Sequence, residues 1–135
     1  MDTALVAEVG LQGVEATDRP RLEVPRTRSL DGSANIDACL VAALPNDPRW
    51  DYAIGHADKL WLVEVHPASG DHCIHEVVAK AGWLKALIGS WSGPAGRALH
   101  WVASGAVSRQ PAFSRKLRLL RKAGVLGPTS RLTID

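Results

Sequence analysis

WDYAIGHADKLWLVEVHPA, residues 50–68, decides the fold. Two runs rich in β-branched and aromatic residues, WDYAIG and KLWLVEVHPA, stand either side of His56, Ala57 and Asp58. That gap is short enough for a β-hairpin. The second run is built for burial, yet Glu64 and His66 interrupt it, and an ionised carboxylate is costly to bury unless something pairs with it or coordinates it. Which way each side chain faces therefore has to be settled before any chemistry is assigned.

Hairpin parity settles it. An even turn, Ala57 and Asp58 alone, sets Trp50 opposite Val65, Tyr52 opposite Val63 and Ile54 opposite Trp61, which makes one face wholly apolar. An odd turn scatters the same side chains over both faces, so burial favours the even register. That register also sets Asp51 opposite Glu64 on the other face, with His66 one pleat further along. Paired residues hold their Cβ atoms about 4.5–5.5 Å apart, and two carboxylates that close repel unless a cation lies between them or one keeps its proton. An oxygen-seeking divalent ion such as Mg²⁺ or Mn²⁺ resolves the repulsion. A second reading leaves this face in solvent, with Asp51 and Glu64 as surface acids and His66 capping a strand end. The helix that follows weighs against it, because its apolar stripe must bury on one of only two sheet faces.

Working outward, SANIDACLVAALP predicts a helix of about ten residues, with Ser33 or Asn35 as N-cap and Pro45 ending it. Asp71 is the expected cap of a second helix over His72 to Ile88, whose Ile74, Val77, Val78, Ala81, Leu84 and Ile88 recur at helical spacing before Gly89 stops it. RALHWVAS predicts a third strand, FSRKLRLLRKAG a basic helix closed by Gly124, and SRLTI a short final strand. The order α-β-β-α-β-α-β predicts an α/β fold, a mixed β-sheet flanked by helices, in a single domain over residues 31–135. Residues 1–30 have little periodicity and contain Pro20 and Pro25; they are expected to form a partly flexible N-terminal arm with one short strand around Arg21 to Val24.

At 135 residues such a chain buries enough surface to need no disulfide staples. Its two cysteines, Cys39 and Cys73, are too few for a disulfide framework and are read as reduced thiols. No segment approaches the ~18 apolar residues that span a bilayer, and no basic leader with a long apolar run begins the chain. The expectation is a cytoplasmic chain with no membrane partner. The net charge of +2 hides an uneven distribution: Arg97, Arg109, Arg115, Lys116, Arg118, Arg121 and Lys122 follow one another without an intervening acid. Acid upstream and base downstream is the pattern of a metal site beside a phosphate-bearing partner. Arg115, Arg118 and Lys122 can share one face of the third helix and are the candidate nucleic-acid contacts; a solvated helix face is the competing reading.

An Asp opening one strand (WDYAIG), a Glu two residues before a further polar group in the next (LVEVHPA), a helix in front, and a helix and strand behind resemble the core of the PD-(D/E)XK nuclease superfamily, the restriction-endonuclease-like fold. The resemblance covers about Ser33 to Ser104, half of the chain. It implies Asp51 and Glu64 as ligands of Mg²⁺ or Mn²⁺, and metal-assisted hydrolysis of nucleic-acid phosphodiester bonds with Asp51, Glu64, His66 and Lys80 as catalytic residues. His66 stands where that family carries Lys. Some members move the Lys to the neighbouring helix, which makes Lys80 the candidate replacement; His66 then either ligates metal or acts as a general base. Asp37 is either a further acid of the site or a charge favourable to the start of the first helix.

Two other readings stay open. His66, His72, Cys73 and His75 are of the types zinc prefers, although neither C-x-x-C nor H-E-x-x-H occurs. Alternatively the chain is a catalytically inactive nuclease-like module that binds a protein partner through Trp83, Trp91 and Trp101, since aromatic residues are enriched in interface cores.

Overall fold

The structure is a computed structural model that describes residues 5–89 and 97–135. Strands β2 (Leu30–Asn35), β3 (Tyr52–His56) and β4 (Lys59–His66) run as an antiparallel meander, with β1 (Leu22–Glu23) preceding them. Strands β5 (Arg97–Ala103) and β6 (Val125–Thr129) then add in parallel, so the sheet order is β2-β3-β4-β5-β6. Parallel neighbours need a crossover. Helix α2 (Asp71–Ile88) supplies it between β4 and β5, and α3 (Pro111–Ala123) between β5 and β6, while the short α1 (Ile36–Leu40) joins β2 to β3. The chain thus has the α/β architecture and mixed sheet expected of it. A small second sheet pairs β1 with β7 (Leu132–Thr133).

The hairpin adopts the even register. Tyr52 pairs with Val63 and Ile54 with Trp61, across a turn in which Ala57 and Asp58 both have positive φ, 50° and 62°. Two left-handed residues in a two-residue turn match the right-handed twist of the strands they join.

Each face of the sheet has its own apolar layer. Tyr52, Ile54, Val63 and Val102 bury against Val14, Leu22, Leu132 and Ile134, with Trp61 and Val65 at the margin. On the other face Ala53, Leu62, Leu99, Trp101 and Ala103 pack under α2 and α3 through Ile74, Val77, Ala81, Leu84, Phe113 and Leu120. Burial of this kind stabilises by roughly 25 cal/mol per Å² of apolar surface, and it places α2 over the face that carries Glu64.

Several local expectations are corrected. Trp50, expected opposite Val65 on the first face, belongs instead to the layer under the helices. Strand pairing starts only at Tyr52, and the carbonyl of Asp51 accepts from the N–H of Ile36 (2.8 Å), so the chain has left the pleat at Trp50. The first helix is shorter than ten residues. Asn35 is its cap, with Oδ1 accepting from the Ala38 N–H at 2.8 Å, whereas Ser33 lies inside β2.

Strand β2 escapes a propensity reading because LDGSAN has little that favours a strand. Its backbone is instead approached closely from the N-terminal segment: Gly13 crosses so near that a Cβ there would lie 2.6 Å from the Ser33 carbonyl oxygen. Asp71 does not cap α2; it is the first helical residue, Gly70 is the cap, and the Asp71 carboxylate accepts from Lys116 Nζ at 2.7 Å. SRLTI does hold a strand, β7, but the strand that follows α3 in the main sheet is VLGPT. Pro128 masks that strand in the sequence and also restricts it to a sheet edge, since proline cannot donate to a neighbour on both sides.

Candidate active site

Asp51 and Glu64 meet where the hairpin opens, joined by reciprocal bonds between side chains and backbone. The Asp51 N–H donates to Glu64 Oε1 at 3.1 Å, and the Val65 N–H donates to Asp51 Oδ2 at 2.9 Å. Glu64 is completely buried. A carboxylate so placed requires a counter-charge, and Lys80 provides it from α2: its Nζ lies 2.5 Å from Glu64 Oε2. His66, the last residue of β4, stands between two acids, with Nδ1 3.4 Å from Glu64 Oε2 and Nε2 3.0 Å from Glu76 Oε1. The Trp101 indole N–H fixes this end of the strand by donating to the His66 carbonyl at 2.9 Å.

The helix contributes by periodicity. Cys73, Glu76 and Lys80 follow at i, i+3 and i+7, which sets them on one side of α2. That side also carries the buried Val77 and Leu84, so packing the apolar residues onto the sheet lays the polar ones along Glu64 and His66.

The charges perturb one another strongly. Burial, and next the negative charge of Glu64, push the Asp51 carboxyl from its ordinary value up to about 7, although Lys80 and the Val65 N–H act against them. Burial alone would lower the Lys80 ammonium, but the charge of Glu64 and the hydrogen bond to it more than offset this, and the net shift is upward. The hydrogen bond to Glu64 raises His66 despite its partial burial, with Glu76 adding to the effect. In turn His66 lowers Glu76. Perturbation by burial together with a named charge partner is typical of functional sites.

No family model matches this chain, and neither does any curated protein or any solved structure. The site has to be interpreted from its own chemistry.

The structure brings Asp51, Glu64, His66 and Lys80 into one cluster. Asp37 pairs with Arg49, whose Nε donates to its Oδ1 at 2.8 Å, and its charge still reaches the cluster, adding to the upward shifts of Asp51 and Lys80. Arg115, Arg118 and Lys122 are exposed on α3, spaced to share a face, while Phe113 and Leu120 of that helix are buried. Of the suggested zinc ligands, His66 and Cys73 come together, His75 lies against Lys116 Nζ at 3.2 Å, and Glu76 takes the third place in a group whose ligand atoms all lie within 4.8 Å of one another. Sequence reasoning missed Glu76, although its spacing of three from Cys73 and four from Lys80 marked it. Trp101 is fully buried, and Trp83 is half-buried and donates to Asp47 Oδ2 at 2.9 Å. Neither offers the exposed aromatic surface of an interaction module, and Trp91 lies outside the described residues. Among the described residues no helix is long and apolar enough to cross a membrane.

Two carboxylates and one ammonium leave a surplus negative charge when both acids are ionised and His66 is neutral; the Asp51 carboxyl is raised first by burial and only next by the charge of Glu64. Hard oxygen donors with unbalanced charge suit Mg²⁺ or Mn²⁺. The donor types suit the ion that the resemblance implies, while Asp51 Oδ2 and both Glu64 oxygens already accept, from the Val65 N–H, the Asp51 N–H and Lys80 Nζ.

Proposed function

We propose that the chain is a metal-dependent nuclease that hydrolyses phosphodiester bonds of nucleic acid, on a core of the restriction-endonuclease-like type. The observation that supports this most is Lys80. It is sixteen residues from Glu64 and on a different element, yet its ammonium reaches the Glu64 carboxylate. An acid pair with a lysine is the set expected for phosphodiester chemistry, here with the lysine carried by the helix and His66 in its former place on the strand.

Asp51 and Glu64 would hold Mg²⁺ or Mn²⁺, which when bound supplies an activated water and a counter-charge for the phosphate. Lys80 balances the buried Glu64 and presents a positive charge where negative charge develops on the phosphate oxygens. His66 holds or passes a proton at Nε2, the ring nitrogen facing the exposed Glu76. Arg115, Arg118 and Lys122 supply exposed positive charge for flanking phosphates.

One observation favours the inactive nuclease-like module as the second reading. Glu64 is fully covered and already satisfied by Lys80, so this acid has no open approach in the conformation described. Nicking of supercoiled plasmid and cleavage of single-stranded RNA, each with Mg²⁺ and with Mn²⁺, separate the two. The nuclease reading expects cleavage by the wild type, reduced about 10²–10³-fold in Lys80→Met and abolished in Asp51→Asn. A folded wild type that cleaves neither substrate with either metal leaves the inactive module standing.

A further inference from the structure

We infer that His66, Cys73 and Glu76 form a binding site for one divalent ion of the Zn²⁺ class, held by an imidazole nitrogen, a thiolate sulfur and a carboxylate oxygen. Its ligand atoms are separate from the Asp51–Glu64 pair, but it shares His66 with the proposed catalytic set. With the ion bound, Nε2 is a ligand and carries no proton, so the site replaces that one role of His66 and leaves those of Asp51, Glu64 and Lys80 as they stand.

Donor chemistry comes first. Sulfur and imidazole select Zn²⁺ or Co²⁺ over Mg²⁺, which prefers oxygen alone. Adjacent ligand atoms around a tetrahedral zinc are about 3.3–3.7 Å apart, given bonds of about 2.0–2.3 Å. The three candidate atoms already lie within 4.8 Å of one another, and His66 Nε2 is 3.0 Å from Glu76 Oε1. Small side-chain rotations close the remainder, and the exposed Glu76 is free to make the largest of them.

Orientation of the histidine is the second point. A metal-bound imidazole almost always gives its other ring N–H to a carboxylate or carbonyl, which fixes the tautomer and turns the free nitrogen toward the ion. Glu64 occupies that position: its Oε2 faces His66 Nδ1 at 3.4 Å, while Nε2 points at Glu76. The buried carboxylate thus orients a ligand of this site while Lys80 balances its charge.

The cysteine is the third. Cys73 is 1% exposed but does not sit among hydrocarbon alone, for its sulfur lies 3.5 Å from His72 Nε2 and 3.8 Å from Ser69 Oγ. Three protein ligands leave a fourth position for water, on the side where Glu76 meets solvent. An ion held there would join the end of β4 to the first two turns of α2.

Titration of the full-length protein with Co²⁺ tests this, because a cobalt–thiolate bond produces a charge-transfer band in the near ultraviolet that no oxygen site gives. One equivalent of Co²⁺ should produce the band, one equivalent of Zn²⁺ should bleach it, and excess Mg²⁺ should leave it in place. Cys73→Ser should abolish it. Glu76→Gln, at an exposed position where folding is not at risk, should weaken Co²⁺ affinity by tenfold or more, while Asp51→Asn should leave both band and affinity as in the wild type. Absence of the band in folded wild-type protein, or unchanged Co²⁺ affinity in Glu76→Gln, would overturn the assignment.

Discussion

The two faces of the β3–β4 hairpin are made by the same strands in the same register, and they solve burial in opposite ways. On one face Tyr52, Ile54 and Val63 belong to an apolar layer that holds no acid or ammonium group. Its polar groups include the Tyr52 hydroxyl, which donates to Asp18 Oδ2 at 2.5 Å, the Ser33 hydroxyl, and the imidazoles of His56 and of His100, which stacks on Trp61. On the other face Ala53 and Leu62 begin an equally apolar layer, which then gives way to Asp51, Glu64, His66 and Lys80 at its end. Apolar residues of similar volume there would often be neutral or better for stability. Stability alone therefore does not call for the charge in that position, and the two faces should respond differently to substitution and to pH.

The largest effect is expected at the buried ion pair. Lys80→Met leaves Glu64 wholly buried with its principal counter-charge gone, which should cost about 3–5 kcal/mol in urea unfolding at pH 8. The raised pKa of Lys80 means that its contribution is fully present below its ordinary value and disappears only as pH rises through the higher folded value, so pH 8 tests the intact pair. Adding Glu64→Gln to Lys80→Met should recover most of the stability. A double variant no more stable than Lys80→Met would show that the pair is not what balances this face.

On the apolar face Ile54→Ala should cost about 3 kcal/mol, a value within the range for emptying a fully buried aliphatic site. The substitution removes no titratable group and keeps both imidazoles of this face, His56 and His100, so the cost should be equal at pH 5 and pH 8. This is the control for the other face, and a pH-dependent cost at Ile54 would remove the contrast between them.

Asp51→Asn should act with the reverse sign. The folded chain holds the Asp51 proton up to about pH 7, and the unfolded chain only to about pH 4. Stability from this group is thus complete below about pH 4, falls as pH rises between the two values, and is lowest above about 7. Asparagine does not titrate and its side-chain oxygen can still accept from Val65. With a chelator present, the variant should match the wild type near pH 4 and gain about 2 kcal/mol at pH 8, access of water to this half-buried side chain keeping the gain small. Saturating Mg²⁺ should erase the gain by stabilising the wild type alone.

The two faces also differ in how much of them the sequence discloses. Parity is strict in a two-residue hairpin, so Asp51, Glu64 and His66 could be assigned to a shared side from residue order, whereas Lys80 is a candidate only through the family resemblance, which allows the lysine to sit on the neighbouring helix. What stayed hidden depends on interactions with distant parts of the chain. β2 has no strand-like residues of its own and exists because β3 and the segment around Glu8 and Gly13 pair with it and pack on it. Trp50 leaves its expected face because the backbone before Tyr52 bonds to α1 instead of to β4. Complete burial of Glu64 was equally invisible, since strand alternation says which side a residue faces and nothing about what covers that side.

The smallest effect on stability, and the sharpest on partner binding, belongs to the exposed base of α3. Replacing Arg115, Arg118 and Lys122 together by Ala touches no buried group and should change unfolding free energy by no more than about 0.5 kcal/mol. If these side chains neutralise phosphates, the same triple variant should bind single- or double-stranded DNA more weakly at every sequence tested, and the slope of log affinity against log salt should shrink by about one for each phosphate no longer neutralised. An unchanged slope would confine the chemistry of the molecule to the charged end of the hairpin, with α3 serving only to cover the sheet through Phe113 and Leu120.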